Sequence, residues 1–108
     1  MERVYIAGPM TGYKDCNRAA FRRAAKRLRR QGWDVVNPAE FDDAYVHVLT
    51  ESEQLRWACY LSRDILHLAS CQKVYFLKGW RESYGARIEQ IAAHKLGLAT
   101  EYEEDIKL

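Results

Sequence analysis

What this sequence lacks narrows it first. No apolar run approaches the ~20 residues of a membrane-spanning helix. The opening Met-Glu-Arg-Val-Tyr runs straight toward a strand, with no basic-then-apolar leader segment. Cysteine is sparse: Cys16, Cys59 and Cys71 cannot all pair and show no Cys-x-x-Cys spacing, so free thiols in a reducing cytoplasm account for them. No histidine or cysteine pair has metal-ligand spacing, and none of His47, His67 and His94 stands in an evident triad relation to a serine. Charge of one sign is also missing. The 17 basic and 15 acidic residues leave +2, which argues against a nucleic-acid polymer as the main partner. There is neither a Gly-x-Gly-x-x-Gly run nor a Walker lysine. At 108 residues, without repeats or low-complexity stretches, residues 1–108 read as one domain in the cytoplasm, with no cofactor and no membrane contact expected.

What is present alternates between two periods. Residues 3–7 form a β-branched and aromatic run that stops at Gly8-Pro9, where proline lacks the N–H a strand needs. The loop through Gly8, Pro9, Met10, Thr11 and Gly12 leads to a helix capped by Asp15 or Asn17 and closed near Gln31 by Gly32. Phe21, Ala24, Ala25 and Leu28 are its buried stripe, and its arginine-rich opposite face reads as solvated or salt-bridged. Residues 33–36 form a second strand ended by Asn37-Pro38. The connection over 39–52 is too apolar for a free linker, so it holds a short helix, covers a site or packs on another subunit.

Ser52 caps a further helix reaching Ala69, with Trp57, Tyr60, Leu61, Ile65 and Leu68 turned inward. Asp64 lies within that stripe, where a carboxylate is costly unless paired or facing a wet cavity, and His67 at i+3 shares its side of the helix. Residues 73–77 make a third strand, followed by the glycine-bearing loop from Lys78 through Arg81 to Tyr84. Ser83 caps the last helix, which ends near Leu96 with Gly97 as its stop. Gly85, Ile88, Ala92 and Leu96 mark its sheet-facing side, and Glu89 sits inside that stripe one turn beyond Gly85. Glu89 reads either as a ligand-facing acid or as half of a buried ion pair with Arg63 or Arg87. Residues 99–102 give a fourth strand, and the acidic Glu103-Glu104-Asp105 stays in water.

Strands alternating with helices predict an α/β, three-layer, flavodoxin- or Rossmann-like fold. The parallel sheet has four strands in the order 2-1-3-4 with helices on both faces. That order brings Tyr5, Asp64, Ser83 and Glu89 around one crevice at the carboxyl edge. Two carboxylates on separate helices suit cleavage of a glycosidic or N-glycosidic bond, one acting at the anomeric carbon and the other managing a proton or sugar hydroxyls.

The segments Tyr5-Ile6-Ala7-Gly8-Pro9, Arg63-Asp64 and Ser83-x-Gly85-x-x-x-Glu89 resemble the nucleoside 2-deoxyribosyltransferase superfamily, which includes 2′-deoxynucleoside 5′-phosphate N-hydrolases. The likeness covers essentially the whole chain. It looks closest to a small bacterial and phage branch with Ala-Gly-Pro-Met-Thr-Gly, Asn-Pro-Ala-Glu and Gly-Trp-x-x-Ser-x-Gly-Ala-x-x-Glu segments. The resemblance implies that Glu89 is a nucleophile at C1′, that Asp64 contacts the sugar or helps the base depart, and that Tyr5 positions the nucleophile. It matches Ser83 to a group that holds a 5′-phosphate, in keeping with anion binding at helix N-termini. Gly8, Pro9, Met10 and Gly85 line the substrate in this reading, and Lys78 and Arg81 favour a phosphorylated ligand. The transferases carry a further acid before the nucleophile and a longer C-terminal tail. Here Lys78-Gly79-Trp80-Arg81 stands in that place and the chain ends soon after its last strand, which disfavours base exchange more than bond cleavage. A non-catalytic nucleotide-binding module and an inactive oligomeric scaffold are the other readings. A homodimer is expected, through residues 39–52 or the helix face from Trp57 to Tyr60.

Overall fold

The computed structural model describes residues 2–41 and 51–103. Four parallel strands form one sheet in the order β2-β1-β3-β4, as the alternation of periods predicts. They are β1 (Arg3–Ala7), β2 (Asp34–Val36), β3 (Lys73–Phe76) and β4 (Ala99–Tyr102). Among the described residues three α-helices accompany them: α1 (Arg18–Arg30), α2 (Glu53–Ala69) and α3 (Tyr84–Lys95). No described helix is long and apolar enough to cross a membrane.

The sheet is covered on both faces because its central strands are apolar on both sides. Successive side chains of a strand point oppositely. Val4 and Ile6 of β1 therefore meet Phe21, Ala24, Ala25 and Leu28 of α1 on one face. Tyr5 and Ala7 meet Leu68 of α2 and Ala86 and Ala93 of α3 on the other. Each fully buried Phe, Leu or Ile contributes about 1.5–3 kcal/mol over its exposed state. At the carboxyl edge the backbone closes tightly: a Cβ on Gly8 would lie 2.9 Å from both Cβ and Cδ1 of Leu77. Glycine lets the first loop turn over the end of β3.

Several local expectations change. Neither Asp15 nor Asn17 caps α1 with its side chain. Asp15, Cys16 and Asn17 all take left-handed backbone, with φ of 51°, 53° and 62°. Asn17 Nδ2 instead donates to the Pro9 carbonyl at 2.9 Å, tying the loop back on itself, and Asp15 takes Arg18 Nη1 at 2.8 Å. The buried stripe of α3 is Ala86, Glu89 and Ala93, about one position on from the expected side, and Leu96 is exposed. Small alanines bracket Glu89, so the helix lies close to the sheet. On α2 only Leu68 is fully buried, and Trp57 is exposed, because its N-terminal half borders an opening rather than the core. Glu103 does not simply stay in water: its Oε1 accepts the Lys78 backbone N–H at 2.7 Å. Of the connection over 39–52, residues 42–50 lie outside the described residues, as do Glu104 and Asp105. Its start is a short 3-10 turn, Pro38–Glu40, closed by Asn37 Oδ1 accepting Ala39 N–H at 3.0 Å.

Candidate functional site

The close seat of α3 on the sheet sets the site. β1 sends the Tyr5 ring toward α3, and its hydroxyl donates to Glu89 Oε2 at 2.6 Å inside the fold. Glu89 is 5% exposed, a buried carboxyl on an otherwise apolar helix face. Its bond is with the tyrosine rather than with Arg63 or Arg87; Arg87 is exposed and lies over the Tyr84 ring. The pair opens into a cavity of about 320 Å³ at the carboxyl edge of the sheet, within the ~300–1,000 Å³ typical of small-molecule sites. Tyr5, Asp64, Ser83 and Glu89 all line it.

Asp64 reaches the cavity from α2, where its Oδ1 accepts Arg63 Nε at 3.0 Å and stands 2.9 Å from Arg63 Nη2. The expected neighbour His67 stacks on Phe41 instead, with ring centroids 4.5 Å apart. Adjacent helix residues diverge, but the long arginine side chain folds back to the carboxylate. Its guanidinium lies over the rings of Phe41 at 4.7 Å and Tyr60 at 5.4 Å. The cavity thus has one apolar-aromatic wall with a cation over its rings, where a guanidinium interacts favourably with ring faces.

Burial dominates the electrostatics of the pair. Loss of water pushes the Glu89 carboxyl up from 4.5 to about 8. The Tyr5 hydrogen bond and the Arg63 charge pull it down, while the negative Asp64 pushes it up. The Tyr5 phenol is raised well above its ordinary 10.0, first by burial and then by the charge of Glu89, so it stays a donor throughout the physiological range. At neutral pH the Glu89 carboxyl is mostly protonated. Above about pH 8 it is mostly a carboxylate. Perturbed acids in clefts are the groups most often tuned for chemistry or ligand binding.

The remaining sequence-derived residues divide. Gly8, Met10 and Gly85 line the cavity with the four central groups. Ser83 Oγ accepts Ala86 N–H at 3.2 Å, so it caps α3 while facing the opening. Pro9 is buried and does not line it. Lys78 and Arg81 are not beside Ser83. They line a second opening on the α1 side, because the turn at Gly79 (φ 88°) sends them away from the first. Sequence reasoning passed over Arg63 as Asp64's partner and Arg18 and Cys16 at the cavity wall. It also took Trp57, Tyr60 and Leu61 for core. Their spacing with Asp64, at i, i+3, i+4 and i+7, was the available signal that one helix stripe faces the site. Among the described residues no three His, Cys, Asp or Glu side chains stand together as metal ligands.

A parallel-sheet α/β domain with a buried, tyrosine-bound carboxyl at its carboxyl edge is the class that fold and site define. The chain belongs to the family described as "Domain of unknown function (DUF4406)", which matches residues 2–102. A search of curated proteins found no match.

Proposed function

We propose that this protein cleaves the N-glycosidic bond of a (deoxy)nucleoside or nucleoside 5′-monophosphate, with Glu89 as nucleophile. The observation that carries the reading is the buried Tyr5–Glu89 hydrogen bond of 2.6 Å opening into the cavity that Asp64 and Ser83 also line. The likeness of these segments to the nucleoside 2-deoxyribosyltransferase superfamily supports it. A Glu89 carboxylate oxygen bonds to C1′ as the C1′–N bond breaks, its electron pair leaves with the base nitrogen, and that nitrogen takes up a proton. Water then attacks C1′ of the glycosyl ester, freeing the sugar and restoring the carboxylate. Tyr5 keeps the attacking group in one rotamer. Asp64, oriented by Arg63, faces the sugar, and the aromatic wall of Phe41 and Tyr60 gives the base an apolar seat. Transfer to a second base is the same chemistry with a different acceptor. The proposed assembly is a two-fold homodimer through residues 39–52 or the α2 face from Trp57 to Tyr60, where Trp57 is exposed.

One observation favours a second reading. A carboxyl held near 8 is a poor nucleophile at neutral pH and a good hydrogen-bond donor, which suits a non-catalytic nucleotide-binding module. Incubation of the protein with a panel of nucleosides and nucleotides, read by mass spectrometry, separates the two. Cleavage predicts free base and sugar, with a loss of about a thousandfold or more in Glu89→Gln at unchanged fold. A melting shift with intact ligand supports the binding module, and wild-type rates in Glu89→Gln would rule out the covalent route.

A further inference from the structure

The second opening lies at the same edge of the sheet, between α1, the loop after β3 and the end of β4, and encloses about 690 Å³. We propose that it binds an oligophosphate group, either a free polyphosphate or the phosphate tail of a nucleoside polyphosphate. This inference does not rest on glycosidic cleavage.

Three cations converge there from two parts of the chain: Arg23 of α1, and Lys78 and Arg81 of the loop after β3. All three are exposed, and none is in an ion pair among the described residues. Glu103, one of two carboxylates at this opening, is already engaged: it accepts the Lys78 backbone N–H at 2.7 Å and stands 3.9 Å from Arg27. Glu82 is the other acid at this opening. Three cations outside any ion pair among the described residues thus share one recess with two carboxylates, of which Glu103 already faces Arg27, an arrangement that favours a multiply charged anion.

The recess also has a fixed frame. Gly79 takes φ 88°, and a Cβ there would lie 2.8 Å from the Tyr13 hydroxyl, so the turn between Lys78 and Arg81 is closely packed. Next to it Trp80 is buried, with its ring centroid 5.1 Å from that of Phe76 and 5.3 Å from that of Tyr102. The Arg81 guanidinium lies over the Trp80 ring at 5.0 Å. Two of the three cations therefore leave an anchored turn, which lowers the ordering cost of gathering them around a ligand. Apart from Tyr13, Ala20 and Gly79 the wall is polar or charged, so it suits the charged part of a ligand more than a base.

The test is calorimetric titration of the full chain with tripolyphosphate, ATP and inorganic phosphate at about 0.15 M salt, where only close charges interact strongly. Tripolyphosphate is expected to bind saturably and more tightly than inorganic phosphate. Its affinity should fall about tenfold or more in the Lys78→Ala/Arg81→Ala double variant, and by a smaller factor in Arg23→Ala, since charge-assisted bonds to phosphate are among the strong ones. These residues are exposed, so unchanged melting curves separate lost binding from lost fold. Equal affinities for ATP and tripolyphosphate support recognition of the phosphate chain alone. Tighter ATP supports the nucleoside polyphosphate, with Tyr13 contacting the base. Absence of saturable binding would overturn the proposal. So would affinity that survives the double variant but is lost in Arg18→Ala, which would move the anion to the first cavity.

Discussion

The two openings at the carboxyl edge of this sheet are built from adjacent loops, yet they handle charge in opposite ways. The first draws its central acid from a helix that two alanines seat close against the sheet, so Glu89 is nearly sealed from water and burial drives its carboxyl up to about 8. The second takes its charges from an exposed turn and the outer face of α1, and Lys78, Arg81 and Arg23 remain in solvent. The same residue classes thus give a perturbed acid on one side and an electrostatic basin on the other. Depth below the surface makes that difference, since desolvation acts on a charge only where water has been removed.

The sharpest way to probe the contrast is a pair of variants that pull the first cavity in opposite directions. Tyr5→Phe removes the donor that favours the Glu89 carboxylate, so its proton is held more tightly and any cleavage profile moves to higher pH. The rate should fall by roughly ten- to a hundredfold, in the range of a lost positioning or proton-handling group. Asp64→Asn removes a negative neighbour, so the same profile moves to lower pH, with a loss of rate smaller than that of Glu89→Gln. Rate measurements from about pH 5 to 10 check both shifts. Profiles moving the same way in both variants would break the electrostatic picture.

Much of the fold was legible because the signals were periodic. The run at residues 3–7, the i, i+3, i+4, i+7 stripe of α1 and the glycine-proline stops specify strands and helices wherever they occur, and parallel order follows from their alternation. Glu89 was legible for a related reason: a charged residue inside an apolar stripe requires an explanation, whereas Tyr5 stood out only through the resemblance of its segment. The Asp64–Arg63 contact was not. It depends on a long side chain folding back across one residue, which helical spacing does not encode. The separation of Lys78 and Arg81 from Ser83 was hidden too, because it turns on the left-handed backbone of Gly79. The α3 stripe lies one position from the expected side, since Ala86 and Ala93 are weaker hydrophobic markers than Ile88 and Leu96, although their small side chains let the helix come close.

A smaller effect appears in stability. Unfolded, Glu89 loses its proton near 4.5, whereas in the fold it keeps it to about 8. Between those values the folded state binds more protons than the unfolded, so this group's contribution to stability falls as pH rises and levels off above about 8. Denaturant titrations across that window should show the fall in the wild type and its loss in Glu89→Gln. A wild-type slope that persists in Glu89→Gln would assign it to other groups.

The most direct test is a carbon-13 NMR titration of the Glu89 side-chain carboxyl, assigned by its disappearance in Glu89→Gln. The expected midpoint lies near 8, well above the ordinary 4.5 and lower again in Asp64→Asn. A midpoint near 4.5 in the wild type would mean that water reaches the carboxyl freely, and would contradict the contrast between a buried, perturbed acid and an exposed basic recess.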